Sequence, residues 1–266
     1  MSTTTTITAA IDCTVTAPAT LLFAVAVAAG TPTRSESLSI EVDGAPLEAQ
    51  EIVAAAGTRL HRVHAPIGAL RLRYAAEVEA SCPPHPVTDE EEVVYLRPSR
   101  YAESDRFHVL APTRFAGLTG QELITEVGAW VNGYLRYIPG SSGSEDSAID
   151  TLLAGQGVCR DFAHLTVAAL RALGVPARLA AVYAPGLIPM DFHAVAEAAL
   201  DGRWQVVDAT RRAPRSSLIR IATGRDAADT AFFTVLSGRV RFGPVRVTVY
   251  AHGGLPPEDP SQPVYL

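Results

Sequence analysis

The residue with the clearest chemical potential in this sequence is Cys159, within the segment GQGVCRDFAHL (155–165). Glycines lie two and four residues before it, and an apolar pattern of helical period follows, so Cys159 is predicted to open a helix. Free amide groups at a helix N-terminus stabilise a thiolate, which is the reactive form of cysteine. The glycines allow tight backbone conformations and leave room for a substrate. The alternative interpretation is a small apolar side chain that is simply buried.

A nucleophilic cysteine needs a base, and the base needs an orienting group. His164 lies on the same predicted helix, but five residues at about 100° each place it about 140° around the axis from Cys159. We therefore interpret His164 as a structural histidine. His193 has a better setting, because HAVAEAAL (193–200) and RWQVVDA (203–209) are joined by Asp-Gly, a sequence typical of a two-residue hairpin turn.

That turn predicts which residues of the two strands face each other. It pairs Leu200 with Arg203, and the same register makes His193 and Asp208 diagonal neighbours on one face of the sheet. Diagonal positions are about 7–8 Å apart at Cα, within reach of an imidazole and a carboxylate. A slip of one residue would place them on opposite faces. The register thus predicts a His–Asp pair, with an ordinary strand-end ion pair as the alternative.

Three blocks around these residues resemble the core of the bacterial transglutaminase-like superfamily, whose members are often described as cysteine proteases. The blocks are GVCRDFAHLTVAALRALGVPARL, DFHAVAE and WQVVDAT, and the upstream SRYAESD and SAIDTL fit as well. The resemblance covers essentially the whole chain. It implies a papain-like catalytic fold with Cys159 as nucleophile, His193 as base and Asp208 as orienting group, which agrees with the assignment made from the residues.

The sequence departs from the family pattern at several positions. Val195 stands where the family often has an aromatic residue, and Ala209 stands where it often has proline; both changes affect the shape of the site more than its proton chemistry. In papain relatives a glutamine six residues before the cysteine completes the oxyanion hole, and here that position is Leu153. Gln156 is nearer, but the second donor stays open. The backbone N–H of Cys159 is the first donor.

The surrounding patterns predict an α+β fold, in which a papain-like, transglutaminase-like catalytic domain follows an antiparallel β-sandwich domain. Alternating segments place the sandwich at residues 1–97, and the catalytic domain is expected at 98–266. The motif TGQE (119–122) predicts a capping box at the start of the first long helix. The acidic segment SCPPHPVTDEEE (81–92) is expected to be a solvated loop.

Composition limits the partners and the compartment. The net charge is −6, and the 22 basic residues are all arginine and form no basic stripe, so nucleic acid is not an expected partner. The longest apolar run, LLFAVAVAA, is too short to span a membrane and lacks the basic residues of a signal peptide, so no membrane partner is expected. The odd, scattered set of Cys13, Cys82 and Cys159 argues against a disulfide framework. We therefore expect a cytoplasmic protein.

The expected activity is cysteine-dependent acyl transfer through a thioester, on a peptide or protein amide substrate. Hydrolysis, as in a peptidase or amidase, is favoured; transfer to an amine, as in a transamidase, is the alternative. A non-enzymatic binding or scaffold module on the same fold is the hypothesis from a different class. No cofactor and no metal is predicted, because Cys159 and His164 do not converge within one helix and no fourth ligand is suitably spaced. Arg160 and Asp161 are expected to brace the start of the helix.

Overall fold

The computed structural model describes residues 4–79, 81 and 84–266 of the chain. Most of the strands lie in two antiparallel sheets, and a pair of two-residue strands forms a third. The strands are β1 (Thr5–Phe23), β2 (Thr33–Val42), β3 (Ala45–Pro46), β4 (Gln50–Val53), β5 (Arg59–Ala65), β6 (Gly68–Val78), β7 (Arg136–Tyr137), β8 (Gln156–Gly157), β9 (Ala177–Tyr183), β10 (His193–Leu200), β11 (Arg203–Val207), β12 (Ile219–Gly224) and β13 (Phe233–Ala251).

In sequence, most of the helices come between the N-terminal strands of the first sheet and the strands of the second sheet. They are α1 (Asp89–Val94), α2 (Leu110–Arg114), α3 (Gly120–Tyr134), α4 (Ala148–Ala154), α5 (Cys159–Ala172) and α6 (Ala227–Thr230), with short 3₁₀ turns at Ala55–Gly57, Ser104–Phe107 and Arg215–Ser217. Across the described ranges, no helix combines the length and apolar composition that crossing a membrane requires.

The N-terminal strands form one continuous sheet in the order β3-β2-β6-β1-β5-β4, with β13 on β1. Strand β1 alternates buried and more exposed residues along most of its length, and its first half pairs with β6 while its second half pairs with β5. The predicted antiparallel character is therefore present. The hydrogen bonds join all these strands into one sheet through β1, whose two halves have different partners.

The last strand of this sheet comes from the far end of the chain. The segment near the C-terminus forms the long strand β13, which pairs with β1 from Thr5↔Ala251 to Phe23↔Phe233. The expected boundary between residues 97 and 98 therefore does not separate the strands of this sheet. Alternation of apolar residues identifies a strand but carries no information about a partner so far away in sequence.

The second sheet has the order β11-β10-β9-β12, and α5 packs against β9 and β10. Helices followed by antiparallel strands make this part of the chain α+β, as predicted. Helix α3 begins where expected, but Thr119 makes no capping hydrogen bond through its side chain, so the predicted capping box is wrong. Gly120 has a φ of 55°, and this left-handed first residue turns the chain away from the geometry that a capping box needs.

Among the described residues of the acidic segment, only its end is helical, because α1 begins at Asp89. Asp89, Glu90 and Glu92 are exposed as expected, whereas Glu91 is partly buried. Thr88 and Glu91 form a capping box at the start of α1. The Arg178 side chain, which is fully buried, donates to Glu91 Oε1 at 2.7 Å and to Glu197 Oε2 at 2.8 Å. Arg220 binds the same Glu197 carboxylate from β12. Glu197 thus ties β10, the strand that begins with His193, to β9 and β12 through buried charged hydrogen bonds.

Candidate active site

Cys159 is the first residue of α5 and is partly exposed. The carboxylate of Asp161 accepts a hydrogen bond of 2.8 Å from the N–H of Val158, and Arg160 binds the same carboxylate, so both residues brace the helix start as expected. A Cβ on Gly157 would lie 2.6 Å from the Cβ of Asp161, so the packing at this helix start requires a glycine there.

The hairpin that carries the predicted His–Asp pair has the expected register. Asp201 and Gly202 both have positive φ, at 49° and 72°, which is the geometry of a type I′ turn. The ladder runs from Leu200↔Arg203 to Ala196↔Val207. His193 Nε2 and Asp208 Oδ2 are 3.0 Å apart, and the two side chains are at most 1% exposed. The structure therefore brings this pair together in a dry environment.

Asp208 is held by a third residue that the sequence analysis did not single out. Its Oδ1 accepts two hydrogen bonds from Thr210, one from the backbone N–H at 2.8 Å and one from the hydroxyl at 2.7 Å. Burial alone would raise the pKa of Asp208, but the His193 charge and these hydrogen bonds lower it below its ordinary value. The carboxylate is thus ionised and fixed in orientation.

The imidazole of His193 connects Asp208 to the thiol. Burial alone would lower the pKa of His193, but the charge and hydrogen bond of Asp208, followed by the Cys159 thiol, raise it above its ordinary value. With Nε2 directed to Asp208, Nδ1 is the ring atom left for the thiol. Nδ1 is buried and has no fully formed hydrogen bond to any described residue, so the thiol lies close without ideal alignment. Such loose geometry is common at catalytic pairs without substrate.

Tyr137 is a second residue at the thiol that the sequence analysis missed. Strands β7 and β8 pair in parallel with Tyr137 opposite Gly157, two residues before Cys159. The phenol ring contacts Phe162, with centroids 5.9 Å apart, and Arg212 lies over the ring at 4.4 Å from its centroid. A two-residue parallel bridge has no periodic signal in a sequence. Tyr137 is therefore identified only from the folded chain, in which the segment RYIPG lies next to the cysteine loop.

The hydroxyl of Tyr137 lies beside the backbone N–H of Cys159. Burial and then the charge of Cys159 raise the pKa of Tyr137 to about 12, while Arg212 and a hydrogen bond from the Cys159 backbone amide act in the opposite direction. The phenol therefore stays protonated at neutral pH. It shares its surroundings with the Cys159 N–H, the donor already expected from the sequence.

The other candidates lie elsewhere. His164 is completely buried; its Nε2 accepts from the Ala227 N–H at 3.1 Å, and its ring stacks on Tyr101 with centroids 5.3 Å apart. Leu153 is 81% exposed, and the Gln156 side-chain oxygen accepts a hydrogen bond of 3.4 Å from Arg136. Among the described residues, no three His, Cys, Asp or Glu side chains cluster as a metal site would require. Cys82 lies outside the described residues.

The chain is similar to a protein-family model and to solved structures. Residues 114–209 match the model of the transglutaminase-like superfamily. A crystal structure from Cytophaga hutchinsonii, described as a "putative cysteine protease", is 33% identical, with a TM-score of 0.86 over 94% of this chain and 91% of that one. The periplasmic domain of TgpA from Pseudomonas aeruginosa is 20% identical over 78% of this chain and 90% of that one, with a TM-score of only 0.42.

An uncharacterized protein of Mycobacterium leprae (strain TN) is 32% identical over 123 residues, which are 42% of this chain. The match spans only 43% of the length of that relative. The similarity to the Cytophaga structure extends over nearly all of both chains and includes the domain matched by the family model. The chain belongs to the transglutaminase-like superfamily.

Proposed function

We propose that the protein is an acyl-transfer enzyme that cleaves amide bonds through a Cys159 thioester, with hydrolysis of peptide or protein amides as its main reaction. The observation that carries the proposal is the buried His193–Asp208 hydrogen bond of 3.0 Å, beside a thiol at the N-terminus of a helix. These are the three groups that a thiol nucleophile requires, in the order nucleophile, base and orienting group.

In the first half-reaction, Nδ1 of His193 takes the proton of the Cys159 thiol and Sγ attacks the carbonyl carbon. Asp208 holds the ring through Nε2–H and stabilises the imidazolium that results. The C–N bond then breaks as Nδ1 donates its proton to the departing amine. The acyl group remains on Sγ as a thioester.

The tetrahedral intermediate of this step carries a negative oxygen that needs hydrogen-bond donors. We assign the Cys159 N–H and the Tyr137 hydroxyl to this role. The raised pKa of Tyr137 supports the assignment, because only the protonated phenol can donate. The Cys159 N–H hydrogen-bonds to the Tyr137 hydroxyl in this structure, and both donors would turn to the oxyanion when it forms.

In the second half-reaction, an acceptor resolves the thioester. Nδ1 removes a proton from water, the oxygen attacks the acyl carbon, and the S–C bond breaks as the sulfur regains a proton. An amine in place of water would form a new amide by the same steps. The Cytophaga relative carries a protease name, which supports water as the acceptor. Because some members of this superfamily lack enzymatic activity, a non-enzymatic binding or scaffold module is the alternative function.

The test of the nucleophile is the rate at which iodoacetamide labels each cysteine at pH 6, measured by peptide mapping. Cys159 is expected to react much faster than Cys13, which is buried and whose pKa is raised to about 11, by burial first and by Asp12. Cys13 is the internal control, and its labelling at the rate of Cys159 would refute the assignment. A peptide and amide library should then give products with wild type and none with Cys159→Ala.

The acceptor is tested by comparing free acid release with the incorporation of an added primary amine at matched conversion. Acid release without incorporation is the expected result. The chain contains no lysine, so the purified enzyme cannot form glutamine–lysine cross-links with itself. Covalent ladders on a reducing, denaturing gel would contradict this reasoning, whereas efficient amine incorporation would identify a transamidase.

A further inference from the structure

A cavity of about 480 Å³ opens directly beside Cys159 and His193. Its volume lies within the range of pockets that hold small organic groups. Its walls come from β9, β10 and α6 and from segments next to β1 and β13, so both large sheets contribute. Small alanines and aromatic rings dominate the walls, among them Ala181, Ala194, Ala228, Ala231, Phe192 and Phe232.

The shape of the apolar part is set by contacts between elements that are distant in sequence. The rings of Phe192 and Phe232 stack with centroids 4.7 Å apart at an angle of 16°. Ala181 and Ala194 are direct partners on neighbouring strands, and neither carries more than a methyl group into the space. Aromatic faces combined with such small side chains leave room for a bulky apolar group.

The cavity offers no free charge to a polar ligand. Among the described residues that line it, the charged side chain other than His193 is Arg160. Its guanidinium already binds the Asp161 carboxylate and the Ser142 hydroxyl, the latter at 2.7 Å. Apart from His193, a charged group of a substrate would therefore lose its hydration in this cavity without gaining a free charged partner, which is costly.

Other polar groups of the site do not line this cavity. Tyr137, Arg212 and Asp191 are absent from its lining, and the charges of Arg212 and Asp191 both act on the Tyr137 hydroxyl. The acyl group stays bonded to Sγ between the two half-reactions and has to be held next to it. The cavity is lined by Cys159 itself and is mainly apolar, so it is suited to hold an apolar acyl group.

We infer that the preferred substrates carry a large apolar side chain, aromatic or branched aliphatic, on the acyl side of the cleaved amide. This inference rests on the proposed function and adds the substrate class to it. Discrimination between apolar and charged side chains at this position is expected to be at least about tenfold, within the range for apolar pockets in enzymes.

The experiment uses the full-length protein and four N-acetyl amino-acid chloromethyl ketones, with phenylalanine, leucine, glutamate or lysine side chains. In each reagent, Sγ forms a bond to the methylene carbon and chloride leaves. The four reagents therefore differ only in the side chain on the acyl side. Inactivation rates at pH 6 are divided by the iodoacetamide rate of the same protein. The phenylalanine and leucine reagents should react at least tenfold faster than the glutamate and lysine reagents.

Two variants fill the cavity from different walls, and a third is the control. Ala181→Leu places a larger side chain in the cavity from β9, and Ala228→Leu does so from α6. Ala228 is exposed, so its substitution is less disruptive to folding. Ala75→Leu makes the same exchange at an exposed position of β6 that does not line the cavity. The cavity variants should lose the apolar preference and keep the iodoacetamide rate, whereas the control should keep both.

The outcomes separate this inference from the proposed function. Equal relative rates for all four reagents, or a preference that survives in both cavity variants, would overturn the assignment of the cavity and leave Cys159 as nucleophile. Slow iodoacetamide labelling of wild-type Cys159 would instead refute the proposed function, and the substrate class with it.

Discussion

The substitution Asp208→Asn is expected to disable His193 while leaving the size of the side chain unchanged. Three donors converge on the Asp208 carboxylate: the ring Nε2–H of His193 on one oxygen, and the N–H and hydroxyl of Thr210 on the other. Asparagine has one oxygen. The orientation that keeps both Thr210 donors turns its NH₂ toward Nε2, which moves the ring proton to Nδ1, the atom that has to accept the thiol proton.

The expected size of the effect follows from the interaction that is lost. A hydrogen bond to a charged group contributes about 1.5–3 kcal/mol, and about 1.4 kcal/mol corresponds to a factor of ten. Alkylation of Cys159 at pH 6 should therefore slow by roughly 10- to 150-fold. The sign agrees with the pKa of His193. Burial lowers it and Asp208 raises it, so without the carboxylate the imidazole is neutral at pH 6 and the thiolate loses its cationic partner.

The assay is the iodoacetamide rate at pH 6, together with the melting temperature, for wild type, Asp208→Asn, His193→Ala and the double variant. Thr210→Val is the matched control, because it removes one donor but keeps the carboxylate, and it should cost less than tenfold. Residues that act as a unit are not additive, so the double variant should be little slower than His193→Ala alone. A well-folded Asp208→Asn that reacts at the wild-type rate would refute this reasoning.

Three further predictions concern His164, its protonation and Tyr137. His164→Ala removes a buried ring and leaves the Ala227 N–H unpaired, so it should lower the free energy of unfolding by about 2–4 kcal/mol in chemical denaturation. The alkylation rate of the folded fraction should stay unchanged. Loss of reactivity in His164→Ala together with a fully reactive His193→Ala would contradict our choice of base. Burial lowers the pKa of His164 to about 3, and the unfolded chain binds a proton near pH 6.5, so wild type should lose stability relative to His164→Ala as the pH falls through that window; parallel pH profiles would argue against a buried neutral ring. Tyr137→Phe should lower kcat on amides by about 10²–10³ with alkylation nearly unchanged, and unchanged turnover would remove Tyr137 from the oxyanion site.

The His–Asp pair was accessible from the sequence because its geometry depends on a local rule. The Asp-Gly turn determines the hairpin register, and the register determines which side chains share a face. Cys159 was accessible for a similar reason, because a helix start is marked by residues next to it in sequence. Each inference needed only a few residues on either side, and both agree with the structure.

Features that depend on distant contacts were not accessible in this way. The pairing of β13 with β1 joins the two ends of the described chain, and the alternation in each strand is compatible with many partners. Arg178, Glu197 and Arg220 lie on three different strands and pair only in the folded sheet, so the sequence does not show which charges neutralise each other. The partial burial of Glu91 in the acidic run was not predicted, because the arginine that pairs with it, Arg178, lies far away in sequence on β9.

The same distinction separates the proposed chemistry from the proposed substrate preference. The groups that move protons lie on one helix start and one hairpin, and the spacing of residues within each element positions them. The cavity that would hold the acyl group is instead assembled from β9, β10, α6 and the segments beside β1 and β13, which meet only in the folded chain. A substitution on β13 or α6 can therefore change the substrate without touching the thiol, the imidazole or the carboxylate. Relatives that share the hairpin and the helix start are thus expected to share the reaction, while their substrates follow the residues at the positions of Ala181, Ala228 and Phe232.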